Sequence, residues 1–542
     1  GASWVPEFAD TGGSFQRPPS GGARSSEAAA AAERVPGSAG GNDRPRDRVP
    51  GVRRSRERAR PERQRGSKRA TTFPFSVSIA TVDPSTGETL RTFAEHDDTH
   101  VERALARAAD AARRWRAVDV GARAAVVAGA AAVLERDVDG LARLITREMG
   151  KPVRAAREEA AKCALACRWY AEHGPAIVAG ETLVDEPQGT GSVRYDPLGV
   201  VLAVMPWNFP FWQVVRFAAP ALVAGNVALL KHASNVPQCA LALERVFAEG
   251  GAPEGVFQTL LVSSRAVAGL IADPRVAAVT LTGSEGAGSE VGAAAGRHLK
   301  KTVLELGGSD PFVVMPSADL DLAARTAVTA RTINNGQSCI AAKRFVVHEA
   351  VHDAFLERLV AGMRALVVGD PMAEETQVGP LATAAIRDEV QDQVRRSLAA
   401  GARLLCGGEP IGGRGYFYPP TVLADMPRDA AAAREEVFGP VAAVFRARDL
   451  DEAIAIANDT PYGLGASAWT RDAGELARFE RELDAGAVFL NGMVASDPRL
   501  PFGGIKRSGY GRELGALGLR EFTNVKTVRR MRPAGAVRDR TE

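Results

Sequence analysis

The chain has 542 residues, of which 45% are hydrophobic and 25% charged, and its formal net charge is +3. A chain of this length and composition can bury large cores and is expected to form two or three domains. The small net charge gives no reason to expect a nucleic-acid or membrane partner, and no apolar run approaches the roughly 20 residues that a membrane-spanning helix needs. The five cysteines show no CxxC pairs and no metal-ligand spacing, which favours free thiols, a cytoplasmic location and no bound metal.

Residues 1–70 differ in composition from the rest of the chain. Gly, Ser, Ala and Pro dominate the first part, and an arginine-rich run then extends from Arg44 to Arg69. So few apolar residues cannot bury enough surface to fold, so a disordered basic extension without a catalytic role is predicted. Two alternatives stay open, namely a contact with RNA, lipid or an acidic partner, and an organellar targeting segment.

The folded body is predicted to begin with an amphipathic helix. Thr99 and Glu102 have the spacing of a capping box, and apolar residues recur at helical spacing from Val101 to Trp115.

From Leu198 onward, short apolar strands alternate with helical stretches. Strands are predicted at 200–204, 227–230, 256–261 and 276–281, and helices at 211–224, 237–249 and 265–272. This alternation predicts a parallel sheet with helices on both faces, and such sheets bind dinucleotides at the carboxyl ends of their strands.

A second alternation begins at Lys301. It includes apolar strands at 312–314, 345–347 and 443–445, which predict a second α/β domain.

One cysteine, Cys339, lies in a run of turn-forming and amide residues that extends from Asn334 to Ile340. A thiol is nucleophilic only as the thiolate, and turn residues can provide the exposure and the nearby dipoles that a reactive cysteine needs. Taken alone, the run favours a cysteine that simply packs in a core.

Two further polar residues interrupt apolar runs. Glu305 follows an apolar run and precedes Leu306 and two glycines, and such a setting raises the pKa of a carboxylate toward that of a general base. Asn208 lies between aromatic residues and prolines in a turn, which suits an amide that stabilises an oxyanion. The alternatives are a solvent-facing strand position for Glu305 and a capping role for Asn208.

A strand also leads through Gly283 and Ser284 into a helical stretch. The run is not a G-x-G-x-x-G fingerprint, so a plain helix start is as good an interpretation as a phosphate-binding loop.

Together these motifs resemble the aldehyde dehydrogenase family, from about residue 75 to about residue 528. The resemblance rests on seven motifs in the family's order, which are the Trp207-Asn208-Phe209-Pro210 turn, Lys231, Gly283-Ser284, Glu305-Leu306-Gly307-Gly308, Gly336-Gln337-Ser338-Cys339, Glu436-Val437-Phe438-Gly439-Pro440 and Pro501-Phe502-Gly503-Gly504.

The resemblance implies an α/β fold with a Rossmann-like dinucleotide-binding domain at 71–306 and an α/β catalytic domain at 307–515. It also implies a small β oligomerisation arm, formed by strands near 182–195 and by residues 516–542, which include the C-terminal tail. Exposed arm strands favour a partner, so a homodimer or homotetramer is expected.

The family chemistry assigns a role to each catalytic candidate. Cys339 attacks an aldehyde, and the oxyanion of the resulting thiohemiacetal is held by Asn208 and by the backbone N–H of Cys339. Loss of hydride to the nicotinamide leaves a thioester, which water activated by Glu305 hydrolyses. Because relatives that transfer the acyl group to coenzyme A lack this glutamate, hydrolysis to a free acid is expected.

For the cofactor, the resemblance implies contacts from Pro206, Trp207, Lys231, Ser234, Gly283, Ser284, Leu306, Glu436 and Phe438. Ser234 stands where NAD-preferring relatives usually have a glutamate, whose charge would repel a 2′-phosphate. With Lys231 nearby, the serine favours NADP, and NAD stays open.

For the substrate, Arg216 follows Asn208 by eight positions (216 − 208 = 8). An arginine on the wet face of a helix is an equally good interpretation. In the branch of the family that oxidises succinate semialdehyde, an arginine here meets the distal carboxylate, and Ser496 matches a serine that assists it.

The chain departs from that branch at two positions. Ile333 stands where some members carry a second arginine, for which Arg499 is a candidate substitute, and Ala341 replaces a redox-switch cysteine. Phe211 and Trp212 also allow an apolar pocket, and hence an enzyme of broad specificity for aliphatic or aromatic aldehydes.

Overall fold

The computed structural model describes residues 79–533. The predicted basic extension at 1–70 lies outside the described residues, as does the end of the chain from 534 to 542.

The strands are β1 Ile79–Val82, β2 Thr89–Phe93, β3 Glu181–Glu186, β4 Gly189–Pro197, β5 Val200–Met205, β6 Val227–His232, β7 Phe257–Thr259, β8 Val276–Thr282, β9 Lys301–Glu305, β10 Asp310–Val314, β11 Ala342–His348, β12 Arg403–Cys406, β13 Thr421–Ala424, β14 Val441–Ala447, β15 Gly465–Trp469, β16 Ala487–Leu490, β17 Gly509–Tyr510 and β18 Thr523–Met531.

The helices are α1 Asp98–Trp115, α2 Val120–Arg136, α3 Val138–Met149, α4 Val153–Ile177, α5 Trp212–Ala224, α6 Pro237–Glu249, α7 Val267–Ala272, α8 Glu285–Arg297, α9 Leu320–Thr332, α10 Glu349–Arg364, α11 Ala384–Ala399, α12 Ala431–Arg434, α13 Leu450–Asn458, α14 Ala473–Glu482 and α15 Gly515–Glu521, with short 3₁₀ helices at Ser264–Ala266, Ile333–Gly336 and Lys506–Ser508.

The first large sheet has the strand order β17-β9-β8-β5-β6-β7. The strands from β9 to β7 run parallel, and only β17 is antiparallel to its neighbour. β5 and β6 are almost entirely buried because helices cover both faces, as their continuous apolar sequences predict. The strand order reverses between β5 and β8, and ligands of such sheets bind at this crevice, outside the carboxyl ends of the strands.

The predicted capping box at the start of α1 is wrong. The helix begins directly after Asp97, whose extended backbone lets its carboxylate accept a hydrogen bond from the N–H of His100 at 2.7 Å. Thr99 therefore lies inside the first turn. Glu102 does not reach back to cap the helix but forms an ion pair with Arg275 at 2.7 Å.

Two predicted elements differ in extent from those observed. The strand predicted at 256–261 is hydrogen-bonded only over the three residues of β7. The helix predicted at 265–272 begins as the 3₁₀ turn Ser264–Ala266 before α7.

The second large sheet has the order β12-β13-β14-β11-β10-β15-β16 and is parallel apart from the β12–β13 pair. Apolar side chains cover both of its faces; on one of them Phe312, Phe345 and Trp469 pack against each other. The two large sheets meet in sequence between β9 and β10, close to the predicted domain boundary at 306. Only β17 returns from the later segment to the first sheet.

The remaining large β element is a three-stranded antiparallel sheet of order β18-β4-β3. β18 pairs along the whole of β4, from Thr523 opposite Pro197 to Met531 opposite Gly189. This is the arm expected from residues near 182–195 and the C-terminal segment. Among the described residues, no helix is both long enough and apolar enough to cross a membrane.

Candidate active site

Asn208 and Glu305 lie at the carboxyl edge of the first sheet, and Cys339 lies in the loop before β11 of the second sheet. Asn208 follows β5 by three residues (208 − 205 = 3), Glu305 is the last residue of β9, and Cys339 follows the 3₁₀ turn Ile333–Gly336. The chain brings them together from widely separated sequence positions: hydrogen bonds join Asn208 to the cysteine loop, and the charge of Glu305 acts on the thiol of Cys339.

An unusual backbone conformation presents Cys339. Asn334 and Asn335 have φ values of 54° and 58°, and Gly336 has 77°, so three consecutive residues lie in the left-handed region. Asn and Gly tolerate this region better than other residues. A Cβ on Gly336 would also lie 2.3 Å from the carbonyl carbon of Gly439, which explains why both glycines occur in the motifs.

Lys343 holds the cysteine loop from the other side. Its buried ammonium donates to the carbonyl oxygens of Ser338, Cys339 and Ala341 at 2.8, 2.9 and 3.2 Å. Sequence analysis missed this residue, and its only sequence signal is a lysine four positions after the cysteine.

The amide of Asn208 is fixed next to this loop. Its Nδ2 donates to the carbonyl of Gln337 at 3.1 Å, and the side chain of Asn334 donates to the carbonyl of Asn208 at 2.7 Å. An amide NH₂ carries two donors, so one N–H remains for a ligand oxygen. This geometry suits the predicted oxyanion role.

A buried ion pair stabilises the segment that follows Asn208. Glu159 accepts hydrogen bonds from the backbone N–H groups of Phe211 and Trp212 at 2.9 and 3.0 Å, and its partner is Lys151. His232, which replaces a common family proline, lies 2.8 Å by its Nε2 from the carbonyl of Pro210. No sequence pattern indicates these supporting contacts, because they come from distant segments.

The thiol of Cys339 is partly exposed but lies deep in the crevice. Burial raises the pKa of Cys339 to about 12, and the positive charges of Arg216 and Lys343 oppose this shift. Burial therefore favours the protonated thiol, and attack on an aldehyde requires the loss of that proton.

Glu305 is buried, and neither of its carboxylate oxygens has a hydrogen-bond partner among the described residues. Burial raises the pKa of Glu305 well above its usual value, with the negative charge of Glu513 adding to the shift and Arg216 opposing it. The solvent-facing alternative is therefore wrong, and the predicted upward shift is confirmed.

Arg216 does not lie on the wet face of its helix. It is 2% exposed and forms an ion pair with Glu513, which is 3% exposed. Its Nη2 also donates to Thr282 Oγ1 at 3.3 Å, and its guanidinium lies 4.7 Å from the ring centre of Phe502. The protein itself thus supplies Arg216 with a carboxylate partner, and its contact with a substrate stays a prediction.

Ser496 lies close to a cation that sequence analysis missed. Lys162, on α4, donates to Ser496 Oγ at 2.8 Å, and its ammonium lies 4.4 Å from the ring centre of Trp212. The candidate substitute Arg499 forms an ion pair with Asp497 at 2.6 Å.

The predicted phosphate loop is a helix start that can hold an anion. Ser284 caps α8 by accepting from the N–H of Ala287 at 3.3 Å, and a Cβ on Gly286 would meet no atom within 4 Å. Open backbone at a helix N-terminus binds phosphate readily. Glu285, the acidic residue at this end, forms an ion pair with Arg507.

Lys231 is buried near the end of β6, and Ser234 is exposed in the following turn. Burial lowers the pKa of Lys231, while Glu95 opposes the shift. A cation beside an exposed serine at a strand's carboxyl end fits the adenosine ribose and its 2′-phosphate.

The predicted nicotinamide-side contacts also lie together. Glu436 accepts from the N–H of Gly308 at 3.0 Å and is 3.6 Å from Lys343. The ring of Phe438 packs edge-on against Trp207 at 5.7 Å. Leu306, which follows β9, packs against α8 so closely that only a glycine fits at 288. The remaining predicted contact, Pro206, directly follows β5 at the same edge. These roles stay predictions.

Comparison with known proteins agrees with this site. The sequence model of the aldehyde dehydrogenase family matches residues 75–528. A Mycobacterium tuberculosis protein named as an NADP(+) succinate-semialdehyde dehydrogenase is 58% identical over 454 residues, which cover 83% of this chain and 99% of that protein. A protein of the same name from Mycolicibacterium paratuberculosis is 58% identical over 460 residues, with 83% and 96% covered.

Solved structures give the same result. The crystal structure of succinic semialdehyde dehydrogenase from Streptococcus pyogenes, in complex with NADP+, has a TM-score of 0.81 and 37% identity, with 83% of this chain and 99% of that chain covered. The succinate-semialdehyde dehydrogenase from Burkholderia pseudomallei has a TM-score of 0.81 and 36% identity, with 83% and 94% covered. The chain belongs to the aldehyde dehydrogenase family.

Proposed function

We propose that this protein oxidises succinate semialdehyde to succinate with NADP+ as the oxidant. The observation that carries the proposal is the proximity of Asn208 and Glu305 to the Cys339 loop, in a chain 58% identical to proteins named for this activity. NAD+ remains a secondary cofactor in the proposal.

The thiol of Cys339 loses its proton to solvent, and the thiolate attacks the aldehyde carbon to form a thiohemiacetal. The remaining N–H of Asn208 and the backbone N–H of Cys339 stabilise its oxyanion, and the hydrogen bond from Asn208 to Gln337 fixes the first of these donors before the substrate arrives. NADP+, held by the residues described below, would supply the hydride acceptor needed to oxidise the thiohemiacetal to a thioester.

Glu305 then takes a proton from the water that attacks the thioester. Its raised pKa makes the carboxylate a stronger base than an exposed glutamate. Cleavage of the C–S bond releases the carboxylic acid and returns the cysteine.

The residues that would hold the cofactor are those at the carboxyl ends of β5, β6, β8 and β9. The exposed Ser234 beside Lys231 leaves room for a 2′-phosphate, whereas a glutamate there would repel it. This is the structural support for NADP.

The proposal includes a homo-oligomer assembled through the arm. Leu183, Val525 and Met531 are 66%, 61% and 62% exposed on the arm sheet, which is an unusual amount of apolar surface for three strands. A cytoplasmic location fits the five cysteines, all of which are free thiols.

The test is a panel of aldehydes crossed with NAD+ and NADP+, followed by absorbance of the reduced nicotinamide. We expect the highest kcat/KM for succinate semialdehyde with NADP+. Equal kcat/KM values for succinate semialdehyde and hexanal would instead support the broad-specificity alternative, in which the pocket beside Trp212 and Phe211 selects only for apolar chains.

A further inference from the structure

We propose that Lys343 is a positioning residue that strengthens the backbone N–H of Cys339 as an oxyanion donor. Its ammonium acts through the peptide unit between Ser338 and Cys339, because it donates to the carbonyl oxygen of that unit at 2.8 Å. The inference rests on one part of the proposed function, the attack of Cys339 on an aldehyde, and it applies to any aldehyde that the enzyme oxidises.

The hydrogen bonds of Lys343 match those of a charged ammonium. Its Nζ donates to the carbonyl oxygens of Ser338, Cys339 and Ala341 at 2.8, 2.9 and 3.2 Å. An ammonium has three donors, and these three carbonyls use all of them, whereas a neutral amine has only two N–H groups. The side chain is 1% exposed, so its charge acts on these carbonyls with little screening by water.

Other buried charges lie near Lys343. Burial lowers the pKa of Lys343, and the positive charge of Arg331 adds to this shift, whereas the negative charges of Glu436 and Asp310 oppose it. The carboxylate of Glu436 is 3.6 Å from the ammonium. The nearby carboxylate and the three carbonyl oxygens therefore support the charged form of Lys343 against the effect of burial.

The peptide unit between Ser338 and Cys339 transmits this charge to the reaction centre. A trans peptide is planar, and its C=O and N–H groups point in opposite directions. A cation at the oxygen end therefore lies behind the N–H and draws electron density toward the oxygen. Linked hydrogen bonds polarise and strengthen each other, and the low dielectric of the interior increases the effect. The N–H of Cys339 thus becomes a stronger donor to an oxyanion.

The N–H of Cys339 is available for this role. Buried cations take the carbonyl oxygens on either side of it, since Arg331 donates to the carbonyl of Gly336 at 2.6 Å and Lys343 to those of Ser338 and Cys339. In the part of the chain that the structure describes, the N–H of Cys339 itself donates to no protein acceptor. It can therefore bind an oxygen on the carbon that its own sulfur attacks.

The test compares Lys343→Met with the wild type in two reactions of the same thiol. Oxidation of succinate semialdehyde or hexanal proceeds through an oxyanion, whereas alkylation of Cys339 by iodoacetamide displaces iodide and forms none. Loss of a whole oxyanion donor costs about 100- to 1000-fold in rate, so weakening one donor should lower the single-turnover rate of nicotinamide reduction about 10-fold. The fall should be equal for the two aldehydes, because both form the oxyanion.

Alkylation is the measurement that a merely structural role would not separate from oxidation. Burial raises the pKa of the Cys339 thiol, and Lys343 opposes that shift, so Lys343→Met should itself slow alkylation at a fixed pH. The deciding quantity is the ratio of the single-turnover rate to the alkylation rate of Cys339, the latter followed by mass spectrometry at the same pH. This ratio should fall about 10-fold.

Two companion variants complete the comparison. Lys343→Gln keeps two N–H donors without the charge, so its ratio should lie between those of the wild type and Lys343→Met, and it serves as the test if the methionine variant does not fold. Lys300 also donates to a backbone carbonyl, that of Asp273, but it lies before β9, at the end of that strand opposite to Glu305. Lys300→Met should leave both rates unchanged.

The outcomes separate the inference from the proposed function. If both Lys343 variants slow oxidation and alkylation equally, the lysine acts only on the thiol or on folding, and the inference is overturned. A loss confined to succinate semialdehyde also overturns it, since the lysine would then act on the second carboxylate of that substrate. If the wild type oxidises hexanal as well as succinate semialdehyde, the proposed function fails, and the ratio still decides the inference. If the wild type oxidises no aldehyde, both fail.

Discussion

At the scale of single residues, Cys339 is distinguished from the other cysteines by its surroundings. Cys163, Cys167 and Cys239 are buried, and burial raises the pKa of each. Cys339 is also raised, but it is partly exposed and has two cations nearby, Arg216 and Lys343. Access and charge together favour Cys339 as the proposed nucleophile.

Replacing Cys339 with serine should reduce aldehyde oxidation on the order of 10⁴-fold or more, because removal of a nucleophile disables the whole catalytic unit. The rate of NADP+ reduction measures this. Cys406→Ser is the matched control, since Cys406 is also partly exposed but lies on β12, and it should retain full activity. Undiminished oxidation by Cys339→Ser would refute the covalent mechanism.

Glu305→Gln should separate acylation from hydrolysis. Glutamine cannot take a proton from water, so rapid mixing should show a burst of about one reduced nicotinamide per site followed by a stall. In the wild type, hydrolysis needs the carboxylate form, so its rate should rise as pH increases through the raised pKa of Glu305. Normal steady-state turnover by Glu305→Gln would exclude Glu305 as the base.

Ser234→Glu tests the cofactor preference. The new carboxylate should repel the 2′-phosphate near Lys231 and raise the KM for NADP+ by roughly 10-fold or more, with a smaller change for NAD+. Steady-state kinetics with both cofactors measures the ratio. Ser234→Gln, of similar size and without charge, is the control; an equal effect from both variants would point to crowding instead of charge.

At the scale of elements, strands that are buried on both faces were the most predictable. β5, β6 and β8 appear where continuous apolar runs indicated them, because burial on both faces leaves no polar alternation. Short elements were less predictable. The residue that caps α1 is Asp97, not the predicted Thr99. Several polar residues near this end could cap the helix, and only the backbone geometry decides among them.

The arm gives a prediction at this scale. Val525 is 61% exposed in the middle of β18, so a charged residue there should be tolerated by the free chain but not within an apolar interface. Val525→Glu should therefore lower the assembly state in sedimentation experiments. Leu299→Glu, at a site 96% exposed outside the arm, is the control. An unchanged mass for Val525→Glu would show that the arm does not mediate assembly.

At the scale of the whole molecule, the ion pair between Arg216 and Glu513 joins two distant parts of the chain. Arg216 lies on α5, and Glu513 lies in the segment that returns to the first sheet after the second sheet is complete. Both side chains are almost fully buried. Removal of one partner from such a pair leaves an uncompensated charge in the interior, so the pair fixes how these two parts of the chain meet.

Glu513→Gln should accordingly lower the free energy of unfolding by about 3 kcal/mol, measured by denaturant titration at fixed protein concentration. The control is Asp459→Asn, which removes the partner of the exposed Arg434 and should cost less than about 1 kcal/mol. If the two variants were equally stable, the buried pair would have no structural role.

The sequence by itself determined the α/β class and the family, and it singled out Cys339 as the candidate nucleophile. Each of these depends on local sequence patterns, such as an apolar run or an Asn-Asn-Gly turn. They could therefore be predicted without knowledge of distant contacts.

Only the tertiary structure decided which charged side chains are already paired within the protein. Arg216 was a reasonable candidate ligand by its spacing from Asn208, but Glu513, almost 300 residues later (513 − 216 = 297), occupies it. Lys162 had no sequence motif at all and is placed beside Ser496 across 334 residues. Charge pairing depends on distance in space, because electrostatic interaction and desolvation act between groups that the fold brings together.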